Sequence, residues 1–431
     1  MAMCSAETLK NDLISGKYDK TFKKLYPNGK DVAKRYCNVV DKFVDKYGYT
    51  DNLQLFSAPG RTEVGGNHTD HQHGCVLAAG VDLDVIAVAR KNDSGVIRVQ
   101  SEGFKEDIID LSILTPQTEE IEHAPALIRG VAARFHELGY EIGGFDAYTT
   151  SNVLKGSGLS SSAAFEILIC TLLNTLYNDE KMDSVEKAIV SQYSENNFFN
   201  KPCGLMDQMA CSYGGFVGID FNDPANPSIE KVDFDFGAVN HSLCIVDTGG
   251  CHADLTPDYA AVPYEMKEVA KFFGKSVLRD VDETEFYSKI SELREKTNDR
   301  AILRAIHFFN DNRRAIALKN ALKANNFEQF KAIIKESGRS SLQCLQNVFS
   351  ASDPHEQGLT LALTLTEKIL DGKGAFRVHG GGFAGTIQAF VPNEILDTYK
   401  TEIEKVFGKD KCYVLSVRPV GGVEVTPDLF D

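Results

Sequence analysis

The stretch SAPGRTEVGGNHTDHQHG, residues 57–74, concentrates Arg61, Glu63, Asn67, His68, Asp70, His71 and His73 on a glycine-punctuated backbone. Its apolar residues follow neither the 3.6-residue spacing of an amphipathic helix nor the alternation of a half-buried strand. It therefore reads as an irregular loop built for polar contacts. A transition metal suits it poorly, because Asp and His at these spacings need a helix to converge on one ion and no fourth ligand stands nearby. Asn67, His68 and Asp70 are groups that hydrogen-bond sugar hydroxyls. Arg61 is a fixed cation suited to a carboxylate or a transferring phosphate. The plain alternative is a solvated surface loop, but Gly60, Gly65, Gly66 and Gly74 exceed what exposure requires.

Working outward, LQLFSAP reads as a short strand running into this loop. VLAAGVDLDVIAVAR and IRVQSEG read as strands, with Asn92-Asp93-Ser94-Gly95 as the turn between them. APALIRGVAARFHELGY has helical spacing and is closed by Gly139. FDAYTTSNV is strand-like, while FEILICTLLNTLYN and VEKAIVSQYSENNF read as helices. From about residue 240 the pattern restarts with the strand SLCIVDTGG, followed by several helices across 257–340. AFRVHGGGFAGTIQAFV reads as strand–turn–strand, NEILDTYKTEIEKVFG as a helix and CYVLSVRPV as a strand. The first fifty residues look helical and amphipathic, and NDPANPS breaks the pattern near 220–240. This order predicts an α+β protein without internal repeats. Its expected parts are an N-terminal helical extension (1–50) and two domains (51–230 and 231–431).

With 431 residues the chain exceeds a single ordinary core. Its formal net charge of -15 repels phosphate backbones and anionic lipid, so neither nucleic acid nor a membrane surface is an expected partner. CVLAAGVDLDVIAVA is broken by Asp82 and Asp84 and does not read as a membrane span, and no targeting segment is visible. The 10 cysteines include no CxxC pair, which reads as reduced thiols in a cytoplasmic protein.

Three further stretches carry chemistry. GSGLSSSAAFEIL, residues 156–168, sets a glycine–serine backbone directly before a helix, where free N–H groups and the macrodipole attract an anion. Ser160, Ser161 and Ser162 add hydroxyls for phosphate or Mg²⁺, and the bland reading is an over-provided helix cap. GGGFAG, residues 380–385, formally fits GxGxxG but is followed by a strand pattern, so it suits close backbone approach rather than a dinucleotide site. FFGKS, residues 272–276, lacks the first glycine of a phosphate loop. In CGLMDQMA, Asp207 falls at the start of a helix, where an ordinary aspartate stabilised by the dipole is the simpler account.

Taken together, PGRTEVGGNHTDH, GSGLSSSAA, SENNFFNKPCGLMDQ and GGGFAG resemble, in order and spacing, the motifs of the galactokinases in the GHMP kinase superfamily. The likeness runs from about residue 53 to the C-terminus. It implies a two-domain fold, with a ribosomal protein S5 domain 2-like first domain and a ferredoxin-like second domain. It implies ATP-dependent phosphorylation of galactose at C1, with ATP and Mg²⁺ as cofactors and galactose as the partner of a monomer or weak homodimer. By position, Asp207 would be the base and Arg61 its cation and charge stabiliser. Gly156, Ser157, Gly158, Leu159, Ser160, Ser161 and Ser162 would hold phosphate, and Ser162 with Glu195 would hold Mg²⁺. Glu63, Asn67, His68, Asp70, Gly204 and Tyr259 fall on sugar-binding positions, with Gly380, Gly381 and Gly382 forming a turn near the site.

Three positions depart from the family pattern: Asn67 replaces the glutamate of GEH, His71 the tyrosine of TDY, and Glu63 the asparagine two after the arginine. They concern the C6 end of the sugar, and galacturonate kinases resemble this chain in HxDHQ. Galacturonate and N-acetylgalactosamine are thus the alternative substrates. Galactose is the expectation, since no added basic residue is apparent. A non-catalytic galactose and ATP sensor is the alternative of another class, and the complete serine loop and Asp207 argue against it.

Overall fold

The computed structural model describes residues 4–27, 29–153, 158–250 and 255–431. Two sheets organise it. The first contains β1 (Gln54–Gly65), β2 (Cys75–Lys91), β3 (Val96–Ser101), β4 (Asp107–Asp110), β5 (Phe145–Ser151), β6 (Phe216–Asp220), β7 (Ser228–Val232) and, from the end of the chain, β12 (Val423–Glu424). The second contains β8 (His241–Asp247), β9 (Ala375–Val378), β10 (Thr386–Pro392) and β11 (Cys412–Leu415), in the order β11-β8-β10-β9, all antiparallel. This is the expected α+β architecture.

β2 is the spine of the first sheet. One edge pairs with β1, and the other pairs with β6 through residues 75–79 and with β5 through 85–91. Its side chains alternate between two layers, as a two-residue period requires. Ile86 and Val88 pack under the N-terminal helices Ala6–Ile14, Asp19–Leu25 and Val32–Tyr47. Ala87 and Ala89 face the core formed with helices Ala124–Glu137 and Ser161–Asn178. Burial on both faces explains the near-continuous apolar run of β2. It also explains the first fifty residues, which are one of the sheet's two covers.

A buried polar knot fixes that cover. Asp84 on β2 is fully buried and receives hydrogen bonds from Arg35 (2.6 Å), Arg418 (3.1 Å), Tyr26 and Ser57. Burial opposes its charge, but the two guanidiniums and two hydroxyls overcome that and hold the carboxyl below the usual aspartate range. Arg418 comes from the C-terminal segment, which leaves the second sheet after Leu415 and crosses to the first. Val417 bridges Val81, and β12 pairs with Phe56 and Ser57 of β1. The strand expected over CYVLSVRPV is therefore four residues long, because Arg418 is drawn into the knot.

The opening stretch also differs from its reading as a loop. Residues 54–65 are all strand, continuing through Pro59, Gly60 and Arg61. The pairing with β2 slips between Pro59 and Arg61 and again between Glu63 and Gly65. Such bulges interrupt the alternation by which a strand is recognised. Only the part beyond Gly65 is irregular, including a single 3-10 turn at Asp70–Gln72. Among the described residues no helix is long and apolar enough to cross a membrane.

Candidate active site

The bulge in β1 turns Arg61 toward the start of helix Met206–Tyr213, where Asp207 is the second residue. Arg61 donates to both carboxylate oxygens of Asp207, from Nε to Oδ1 at 2.7 Å and from Nη2 to Oδ2 at 2.6 Å. Its Nη1 donates to the carbonyl of Gly158, and its backbone N–H to the carbonyl of Leu159 at 3.0 Å. The arginine thus ties Asp207 to the serine loop. Gly60 permits this: a Cβ there would lie 2.8 Å from the Leu159 carbonyl oxygen.

Ser160, the residue before helix Ser161–Asn178, adopts a left-handed backbone (φ 56°) and donates its hydroxyl to Asp207 Oδ2 at 2.7 Å. Burial would raise the Asp207 carboxyl; Arg61 and then Ser160 outweigh it and hold it below the ordinary aspartate range. The Asp207 side chain keeps 29% exposure against 10% for Arg61, so the carboxylate is the more accessible of the two.

Ser162 and Glu195, the expected metal pair, also meet. Ser162 Oγ donates to Glu195 Oε1 at 3.2 Å. Lys201 Nζ reaches the same oxygen at 3.0 Å, and Gln208 Nε2 holds Oε2 at 2.7 Å. Behind them Glu166 is fully buried and accepts from Gln208 at 3.2 Å. Burial, then repulsion from Glu195, drives Glu166 well above the usual carboxyl range. Among the described residues no three His, Cys, Asp or Glu side chains converge as a metal cage. Gly156 and Ser157 lie outside the described residues. Leu159 is buried in the core, presenting only its backbone to the loop.

On the opposite wall the glycine turn between β9 and β10 is held by three candidate sugar residues, one carbonyl each. Asn67 Nδ2 donates to Gly380 O at 2.7 Å, His68 Nε2 to Gly381 O at 2.9 Å, and Tyr259 OH to Gly382 O at 2.8 Å. The turn needs glycine: Gly382 has φ 79°, and a Cβ there would lie 2.1 Å from Asn347 O. Asp70 is half-buried, and a Cβ on Gly204 would lie 3.2 Å from its Oδ2, so these two positions do share a surface.

Asn67 and Glu63 do not face that surface. Asn67 is fully buried; its amide nitrogen also donates to Glu63 Oε1 (2.9 Å), and its oxygen accepts from Asn347 (2.9 Å) and Ser341 (3.4 Å). Glu63 is paired with the buried Arg377 at 2.9 Å. The two departures from the motif are therefore in contact: the carboxylate and the amide have exchanged places across one hydrogen bond.

Sequence reasoning missed three groups and one contact of a fourth: the hydroxyl of Ser160, expected at phosphate, donates to Asp207. Gln208 orients Glu195. His379, hydrogen-bonded to Thr62 (3.0 Å) and Thr386 (2.9 Å), abuts Gly158 and joins the glycine turn to the serine loop. Lys201, which the sequence reading did not single out, shares with Ser162 the Oε1 oxygen of Glu195. Its signal was its place inside SENNFFNKPCGLMDQ, six residues after Glu195.

Comparison with known proteins agrees with this geometry. The family model of the GHMP kinases N terminal domain matches residues 126–215, and that of the galactokinase galactose-binding signature matches residues 41–91. The chain is 30% identical over 373 residues to the galactokinase of Glaesserella parasuis serovar 5 (strain SH0165), covering 85% of this chain and 92% of that protein. It is 32% identical over 356 residues to the galactokinase of Actinobacillus pleuropneumoniae serotype 3 (strain JL03), covering 82% and 88%. Among solved structures it resembles Lactococcus lactis galactokinase complexed with galactose, with a TM-score of 0.74 at 22% identity over 89% of this chain and 98% of that one. A mevalonate kinase from Methanococcus jannaschii shares the fold more distantly, with a TM-score of 0.58 at 15% identity over 84% and 98%. With its arginine–aspartate pair, serine loop and glycine turn in the family's order, the chain belongs to the galactokinase family of GHMP kinases.

Proposed function

We propose that the protein transfers the γ-phosphoryl group of ATP to the C1 hydroxyl of galactose, giving galactose 1-phosphate and ADP. The observation that carries this is the bidentate Arg61–Asp207 pair, fastened to the serine loop through Gly158, Leu159 and Ser160. Asp207 accepts the C1 hydroxyl proton as the oxygen attacks phosphorus. A carboxylate held ionised suits a loose phosphoryl-transfer transition state, which demands little base strength but strict alignment. Arg61 keeps Asp207 charged and supplies positive charge beside the transferring group. The helix start at Ser161 and the loop before it receive the nucleotide phosphates.

Ser162 and Glu195 suit Mg²⁺, being hard oxygen donors 3.2 Å apart, a pair that leaves phosphate and water to complete the shell. The ion would neutralise charge on the β- and γ-phosphates. Asp70, the backbone at Gly204 and the wall formed by His68 and Tyr259 bind the sugar. In this reading residues 51–230 carry the base, arginine and serine loop, and residues 231–431 carry the glycine turn.

Galactose is favoured over galacturonate by the likeness to two galactokinases at 30% and 32% identity and to a galactokinase solved with galactose. All nine described cysteines are free thiols, in keeping with a reducing, cytoplasmic setting. The test is ADP release with galactose, galacturonate or N-acetylgalactosamine, using wild type and Asp207→Asn. Galactose gives the highest kcat/KM, and Asp207→Asn lowers kcat by about 10²–10⁴-fold. Near-normal kcat in that variant refutes the base assignment.

A further inference from the structure

Arg61 turns three of its five N–H donors, one each on Nε, Nη1 and Nη2, to Asp207 and Gly158. A second cation, Lys201, stands on the connection between helices Ser184–Asn197 and Met206–Tyr213. Its backbone N–H is pinned to the carbonyl of Glu195 at 3.1 Å, which fixes the root of the side chain. Its ammonium lies 3.0 Å from Glu195 Oε1, the same oxygen that accepts Ser162. It also lies close enough to Asp207 to contribute to holding that carboxyl down. The lysine side chain is 60% exposed while Glu195 is 3% exposed, so the carboxylate is fixed and the ammonium can move.

We propose that Lys201 is a nucleotide-phosphate ligand. Its ammonium rests on Glu195 in the free protein and turns to the terminal phosphate oxygens of a nucleoside di- or triphosphate when that ligand enters. The geometry suits an exchange. Ser162 and Glu195 would hold a divalent ion through the oxygen that Lys201 covers, which would free the ammonium for the phosphates. A four-carbon stem with three donors on a mobile head is the side chain that makes such a move. Gln208 holds the other oxygen of Glu195, so the carboxylate does not follow the lysine. This inference rests on the proposed kinase reading.

The experiment is calorimetric titration of a non-hydrolysable ATP analogue into wild type, Lys201→Met and Lys201→Arg. Each is measured once in excess Mg²⁺ and once in EDTA, with galactose affinity measured alongside. Lys201→Met weakens analogue binding about tenfold or more in both conditions, as loss of one charge-assisted contact predicts. Lys201→Arg stays within about threefold of wild type, and galactose affinity is unchanged in all three. If Lys201 only steadied Glu195, the methionine variant would lose affinity in Mg²⁺ alone and bind the analogue normally in EDTA. That result, or unchanged binding in both conditions, overturns the proposal. Absence of galactose-dependent ADP release by wild type refutes the kinase reading instead, and the two failures are read from separate measurements.

Discussion

Replacing Arg61 by methionine keeps an unbranched apolar stem and removes both hydrogen bonds to Asp207, one at each carboxylate oxygen. Burial then acts on the carboxyl opposed chiefly by Ser160, with Lys201 farther off. Arg61 is the largest group holding the carboxyl down, so its removal lets burial raise it; the 29% exposure of the Asp207 side chain softens that rise without reversing it. The sign is fixed. In the wild type the depressed carboxyl stays ionised through the ordinary aspartate range, so kcat/KM holds its plateau into acid. In Arg61→Met the base takes up a proton earlier, and the acid limb moves to higher pH. At neutral pH the variant also loses the positive charge beside the transferring group, worth about 10²–10³-fold in kcat. The assay is initial-rate ADP formation from galactose and ATP between pH 4 and 8, quantified chromatographically so that no coupling enzyme sets the limit. An acid limb that stays in place while the rate falls refutes the assignment of Arg61 as the group that sets the ionisation of Asp207.

Two further expectations concern stability. Asp82 on β2 is buried and its carboxyl is pushed up to about 7, although Ser416 N–H donates to it at 2.8 Å. Its folded value lies above the unfolded one near 3.9, so the stability it permits is complete in acid and is lost as pH rises through about 7. Asp82→Asn, which keeps the acceptor, should gain thermal stability over wild type between pH 5 and 8; parallel melting curves across that range refute this. Asn67→Asp sets a second carboxylate against Glu63, 2.9 Å away, and leaves the Gly380 carbonyl without its donor. It should destabilise by about 3–5 kcal/mol, read from denaturant unfolding at pH 7; an unchanged midpoint refutes the exchange of roles between residues 63 and 67.

The sequence exposed what local chemistry encodes. A glycine–serine run before an apolar helix, a glycine cluster between two strand patterns and the apolar period of helix Ser161–Asn178 each announce themselves within a dozen residues. β1 escaped because its bulges at Pro59–Arg61 and Glu63–Gly65 erase the alternation. The N-terminal helices could be recognised but not placed, since what places them is Arg35 and Tyr26 meeting Asp84, 49 and 58 positions away. Asn67 looked like a sugar contact because its true partners, Asn347, Ser341 and Gly380, come from distant segments. Lys201 was overlooked because a lone lysine in a loop is usually solvated; only its distance to Glu195 distinguishes it.

The return of the last strand to the first sheet has a consequence for biosynthesis. Arg418 and β12 complete the hydrogen bonding beneath the strand that aims Arg61, yet they are made long after that strand has left the ribosome. A nascent chain can form the helices and much of β2 early, but the strand bearing its arginine stays unlocked until residues 418–424 have emerged. The arginine is thus set late in synthesis, and a chain cut before Arg418 lacks the keystone of that strand.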